Sequence, residues 1–137
     1  MKKILLLLLM MVSFLSCSTD DNDNLDFYFD YLPITSVTVP DEFRYNEAYD
    51  IYFTYELPSN CHYYEDLYYI IDGDYRNVAV IASVLNDGAC EVITDTEEER
   101  SFKFICTKNT GSYIFNFWGG VDENGEDVYL TYEVPVN

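Results

Sequence analysis

Ala48-Tyr49-Asp50-Ile51-Tyr52-Phe53-Thr54-Tyr55-Glu56-Leu57 alternates without a break. Tyr49, Ile51, Phe53 and Tyr55 fall on one side of an extended chain; Asp50, Tyr52, Thr54 and Glu56 fall on the other. Side chains along a strand alternate with period two, so the pattern predicts a strand with one face in a core. The rhythm recurs in both directions. Residues 34–39 predict a strand closed by Pro40-Asp41. Residues 66–71 run into a turn at Asp72-Gly73-Asp74, and 76–85 end at Asn86-Asp87-Gly88. Residues 100–107 align Phe102, Phe104 and Cys106, and 112–118 align Tyr113, Phe115 and Phe117. In 127–136, Val128, Leu130, Tyr132 and Val134 share a face, and Asn124-Gly125 just before them is a strong hairpin signal. No long helical periodicity appears. About seven short strands at this spacing predict an all-β, antiparallel sandwich of two sheets.

One stretch sharpens that expectation. Asn109-Thr110-Gly111-Ser112-Tyr113-Ile114-Phe115 resembles the tyrosine corner of immunoglobulin-like domains. There a Tyr two residues before a core position bonds back to nearby backbone through its hydroxyl. Antibody domains carry Cys at that core position, where this chain has Phe115, and Trp118 ends the strand rather than filling the usual core Trp position. The resemblance therefore implies an immunoglobulin-like sandwich without the inter-sheet disulfide.

The amino terminus reads as an export signal. Lys2 and Lys3 precede an apolar run over 4–15 interrupted only by Ser13, and Ser16 precedes Cys17. A spanning helix needs ~20 apolar residues, more than this run provides. Phe14-Leu15-Ser16-Cys17 resembles a lipobox in its Bacteroidota form, which implies a signal peptide over 1–16 and lipid on Cys17. Ordinary cleavage after Ser18 is the competing reading. Several acyl chains at ~0.8 kcal/mol per buried CH₂ would anchor the protein firmly. Ser18-Thr19-Asp20-Asp21-Asn22-Asp23-Asn24 resembles the acidic export signal of Bacteroidota surface lipoproteins. It implies an outer-membrane, lipid-anchored protein facing the cell surface, with residues 17–26 as an acidic tether. Seven residues reach at most ~25 Å, so the domain would sit close to the membrane.

Charge narrows the partners. Without residues 1–16, which hold two lysines and no acid, 5 basic and 25 acidic residues remain, a formal charge of −20. Such a surface repels phosphate backbones and anionic headgroups, so nucleic acid is excluded as a partner, while cationic partners and divalent ions suit it. Aromatics make up 18% of the chain, too much burial potential for a disordered segment, so 27–137 forms one domain with one core.

Cys61, Cys90 and Cys106 remain in an oxidising setting, where disulfides persist. Cys106 shares a face with Phe102 and Phe104 and reads as a small core hydrophobe. Cys61 and Cys90 lie among polar, turn-like neighbours, so these two are expected to pair.

Catalytic signals are absent from this pattern. His62 is the sole histidine, beside the expected disulfide, and reads as solvated; no Gly-x-Ser-x-Gly elbow occurs. Carboxylates are so numerous that chance proximity carries no glycosidase argument. Asp122, Asn124, Glu126 and Asp127 supply oxygen donors of the kind Ca²⁺ takes, although the spacing is not that of an EF-hand. The bland reading there is a solvated hairpin turn. Glu97-Glu98-Glu99 reads as a solvated loop. No cofactor is expected beyond that possible Ca²⁺.

Tyr63, Tyr64, Tyr68, Tyr69 and Trp118 are candidate binding residues, with Phe27, Tyr28, Phe29 and Tyr31 clustered near the tether. Exposed Tyr and Trp offer contact area at little entropic cost, while core and edge packing is the bland use of the same residues. From 32 to 136 the chain resembles a family of small Bacteroidota (flavobacterial-type) surface lipoproteins with an immunoglobulin-like sandwich. That resemblance is carried by Leu57-Pro58-Ser59-Asn60-Cys61-His62, Cys90, Phe117-Trp118-Gly119 and Leu130-Thr131-Tyr132-Glu133-Val134-Pro135-Val136. It implies fold and location and carries no activity. The expectation is a non-catalytic, lipid-anchored surface module for a protein or glycan partner. The alternative is a structural envelope lipoprotein with calcium-stabilised acidic loops.

Overall fold

The computed structural model describes residues 26–86 and 88–137. The leader, Cys17 and all of the tether before Asp26 lie outside the described residues. Eight strands form: β1 Phe27–Leu32, β2 Ile34–Thr38, β3 Ala48–Glu56, β4 His62–Asp72, β5 Tyr75–Leu85, β6 Glu97–Ile105, β7 Ser112–Val121 and β8 Asp127–Pro135. They make a five-stranded sheet (β1, β4, β5, β7, β8) and a three-stranded one (β2-β3-β6), which pack as a sandwich.

β5 organises the larger sheet. Val78, Val80, Ala82 and Val84 point from it into the core. One of its edges is taken by β4, from Tyr75 to Val84. The other edge is shared: β7 pairs in parallel with Tyr75 to Val78, and β1 pairs antiparallel with Val80 to Leu85. Ala79 sits at the join between the two. Counting from β2, an immunoglobulin arrangement would set β4 beside β7; here β5 lies between them.

The core is largely aromatic. Tyr113, Phe115 and Phe117 are fully buried, as the alternation of 112–118 predicts. Phe53, Tyr55 and Phe104 face them from the smaller sheet, and Cys106 is buried as a free thiol. The Tyr113 hydroxyl accepts the backbone N–H groups of Thr107 and Lys108, each at 3.0 Å. Arg76 is buried at the same end, donating to the carbonyls of Gly73 and Tyr75 with its guanidinium 4.9 Å from the Tyr113 ring centre. Carbonyl oxygens and an aromatic face thus replace the water this cation loses.

Three features depart from the sequence reading. The aromatics near the tether form an eighth strand, β1, of which only Leu32 is buried. Its ladder to β5 is made by backbone, and backbone pairing needs no apolar alternation. Second, Glu97-Glu98-Glu99 is not a loop: it opens β6, paired with Thr54 to Glu56 of β3. As an edge strand β6 leaves Glu97 and Glu99 in water, while inward-turned Glu98 accepts the Tyr55 hydroxyl at 2.6 Å and pairs with Arg100. Third, β4 begins at His62, four residues earlier than the alternation indicates.

The Cys61–Cys90 disulfide is formed. It ties two crossover connections that also bond directly, Asn60 N–H to the Glu91 carbonyl at 3.1 Å and Thr96 hydroxyl to the Leu57 carbonyl at 2.8 Å. His62 is half-buried and bonded through Nδ1 to Ser59 Oγ at 2.7 Å, rather than simply solvated.

Burial, reinforced by the bond it donates to Glu98, pushes the Tyr55 hydroxyl up to about 12 from 10.0. The folded chain then keeps a proton that the unfolded chain releases, so this contribution is intact below pH 10.0 and is lost as pH rises toward about 12. A Tyr55→Phe protein is expected to lose roughly 1–2 kcal/mol less than wild type over that range, allowing for screening beside the exposed Glu98–Arg100 pair. Urea unfolding across the alkaline range measures it, and superimposable profiles would refute the assignment.

Candidate aromatic binding groove

The join in β5 creates a site. Where β1 and β7 meet end to end, the outer face of the sheet carries Tyr31 from β1 and Trp118 from β7. Tyr68 stands opposite Ala79 from β4, and Tyr129 stands opposite Trp118 from β8. With Asn77, Asp127, Ala79 and the β5 strand at Val78 these rings line a groove of about 290 Å³. Ala79 is almost covered, 6% exposed, and a larger side chain at that position would meet Tyr68, which stands opposite it.

The chain is bent to hold Trp118 there. The β7–β8 register shifts between Trp118 and Val121, and Gly120 has φ +102. A Cβ at Gly120 would lie 3.3 Å from Pro33 Cγ, the residue at which β1 leaves for the other sheet. Glycine is thus required both by conformation and by the approach of the two strands. The Trp118 indole N–H donates to Asp127 Oδ1 at 2.9 Å. A polar ladder on the same face, Asn116 to Asn77 at 3.0 Å and Thr131 to Asn116 at 2.9 Å, links β5, β7 and β8 beside the groove.

The rings stand at steep angles rather than forming a shelf. Tyr31 meets Tyr68 at 88° with centres 6.0 Å apart, and Trp118 at 65° with centres 6.2 Å apart. A second hollow continues past Tyr31 and is lined by Phe29, Glu65, Asp66 and Ile81. Around these hollows the face is rich in exposed aromatics, with Phe27, Phe29, Tyr31, Tyr63, Tyr68 and Tyr129 all open to solvent.

Among the five aromatic candidates, Tyr68 and Trp118 come together in the groove. Tyr63 lies on the same face but outside it. Tyr64 and Tyr69 turn inward instead: Tyr64 lies under Arg100, 4.1 Å from ring centre to guanidinium, and Tyr69 packs on Phe102. Both are partly buried against the core, and burial raises the pKa of both hydroxyls. The cause is a β-bulge between Tyr64 and Asp66. One extra residue reverses the phase, so Tyr63 and Tyr68, five apart, share the outer face. Tyr31, Asn77, Ala79 and Tyr129 were not singled out as a group; the alternation of β8 places Tyr129 outward, but strand order is needed to bring it to Trp118.

The oxygen-rich stretch 122–127 folds as the β7–β8 turn. Asp122 Oδ1 accepts the N–H groups of Asn124 at 2.8 Å and Glu126 at 3.0 Å. The backbone N–H groups of Glu126 and Asn124 hold its carboxyl below the usual range. Asp127 is directed to Trp118, so Asp122, Asn124, Glu126 and Asp127 are not gathered around one point. Among the described residues no three His, Cys, Asp or Glu side chains are placed to share a metal ion.

Comparisons with protein-family models, with curated proteins and with solved structures found no match to this chain.

Proposed function

We propose that this chain is a lipid-anchored surface protein of the outer membrane, a non-catalytic module that binds a protein or glycan partner through the Trp118 groove. The lipobox-like Phe14-Leu15-Ser16-Cys17 and the acidic stretch after it support the location. The observation that carries the binding role is the exposed aromatic groove at the β5 join, where an indole and three phenol rings surround a small floor. Exposed rings of this kind are enriched where proteins meet ligands, since each brings large contact area with few rotatable bonds.

Intact cells bearing the protein test this with fluorescent peptide and glycan libraries. Wild-type cells are expected to retain a probe, and cells with W118A/Y68A at equal surface level to retain at least about tenfold less, the loss of roughly 1.4 kcal/mol or more that an aromatic anchor supplies. C17S is expected to remove the protein, and with it probe retention, from the cell surface. Equal retention by the W118A/Y68A cells would remove the groove from the reading; C17S protein still displayed at the cell surface would remove the anchor.

A further inference from the structure

We propose that the groove receives a lysine or arginine side chain of a partner protein. The inference rests on the binding role given to the groove above and names the chemistry of the occupant.

Three observations converge. The first is ring geometry: Tyr31 crosses both Tyr68 and Trp118 at steep angles, with centres about 6 Å apart. A pyranose lays the C–H face of its chair along an open, coplanar shelf, whereas a cation is held where aromatic rings turned in different directions each lie within ~6 Å of it. Here these mutually packed rings line one groove, which is where the cation would sit. The second is local charge. Asp127 lines the groove at one end, with one oxygen on the Trp118 indole, and Glu65 and Asp66 line the adjoining hollow beyond Tyr31. A carboxylate beside an aromatic cage directs the head group of a basic side chain while the rings cover its methylenes.

The third is what the domain does with its own cations. Arg44 pairs with Glu42, Arg100 with Glu98, Lys103 with Asp50 and Lys108 with Asp74. Arg76 is buried on carbonyls and Tyr113. The described domain therefore sets cations over tyrosines at Tyr64 and Tyr113, and none of its basic side chains serves the groove. With a formal charge of −20 after residue 16, the cation that complements this site comes from outside.

Titration followed by the Trp118 indole and Ala79 amide NMR signals tests the assignment, using blocked tripeptides centred on Arg, Lys or Gln, with choline and cellobiose alongside. The Arg and Lys peptides are expected to shift both signals saturably and to bind about tenfold more tightly than the Gln peptide, the difference a desolvated cation–π contact provides. Asp127→Asn keeps an Oδ1 acceptor for the indole and removes only the charge; it should weaken the Arg and Lys peptides severalfold. Trp118→Ala should abolish the effect, and Trp118→Phe, which keeps a ring, should restore part of it.

Cellobiose binding as tightly as the Arg peptide would overturn the inference in favour of a sugar platform. Choline outcompeting both basic peptides would overturn it in favour of a lipid head group. Unchanged Arg and Lys affinity in Asp127→Asn would overturn the charge argument. If no cationic probe moves the groove while W118A/Y68A still abolishes retention by intact cells, the cation falls and the groove stands; if retention is also unchanged, both fall.

Discussion

Phe43→Ala is expected to cost about 3–5 kcal/mol of folding stability, the range for truncating a large ring in a closed core. Phe43 lies in the connection between β2 and β3, yet it is fully buried. Its ring contacts Tyr49, Phe104, Tyr113 and Phe115 at centre distances of 4.9, 4.7, 5.8 and 6.0 Å. Its backbone is held from both sides: Phe43 N–H donates to the Pro135 carbonyl at 2.8 Å, and the Phe43 carbonyl accepts Asn137 N–H at 2.9 Å. Those bonds stop the loop from following a smaller side chain inward, so a void would persist between the sheets. Urea unfolding should show a lower midpoint at unchanged slope. Phe27→Ala on the exposed face is the matched control and should change stability by no more than about 0.5 kcal/mol. Near-equal midpoints for the two variants would contradict the buried position of Phe43.

Loss of the Cys61–Cys90 bond is expected to cost roughly 3–4 kcal/mol, from the freedom regained by a loop of sequence separation 29 in the unfolded chain. Cys61 is itself buried, so C61S/C90S adds an imperfectly matched hydroxyl to that loss. The midpoint of urea unfolding, compared with and without reductant and against C61S/C90S, measures it. A difference under about 1 kcal/mol would mean that the Asn60–Glu91 and Leu57–Thr96 bonds hold the two crossovers alone.

Much of the sandwich was legible because half-buried strands write period two into their residues. Tyr113, Phe115 and Phe117 announce β7, and Ile51, Phe53 and Tyr55 announce β3, since the skipped positions are more open, except Thr54, which is covered and bonded to the hydroxyls of Thr35 and Ser36. Cys61 and Cys90 were legible by elimination against the core character of Cys106. Where folding depends on something other than alternation, the signal fails. Phe27-Tyr28-Phe29-Asp30-Tyr31 has aromatics on both faces, because β1 is held by its ladder rather than by burial. Phe43 stands alone among loop residues, with no neighbour to mark it as core.

The groove was legible by residue type and not by place. Tyr68 and Trp118 stood out as aromatics, but their meeting with Tyr31 and Tyr129 depends on strand order, which no local pattern encodes. The bulge near Glu65 decides which tyrosines of β4 face outward, and it is invisible to a count of alternate positions.

The shared edge of β5 also has a mechanical consequence. β1 is the first strand of the domain and anchors itself in the interior only through Leu32. Tension applied at the amino terminus would reach the Phe27–Leu85 end of its ladder first. Tyr31 is carried on that strand, so a pull that detached β1 would also remove one wall of the groove. In the function proposed above, traction and grip would meet on this single short ribbon of chain.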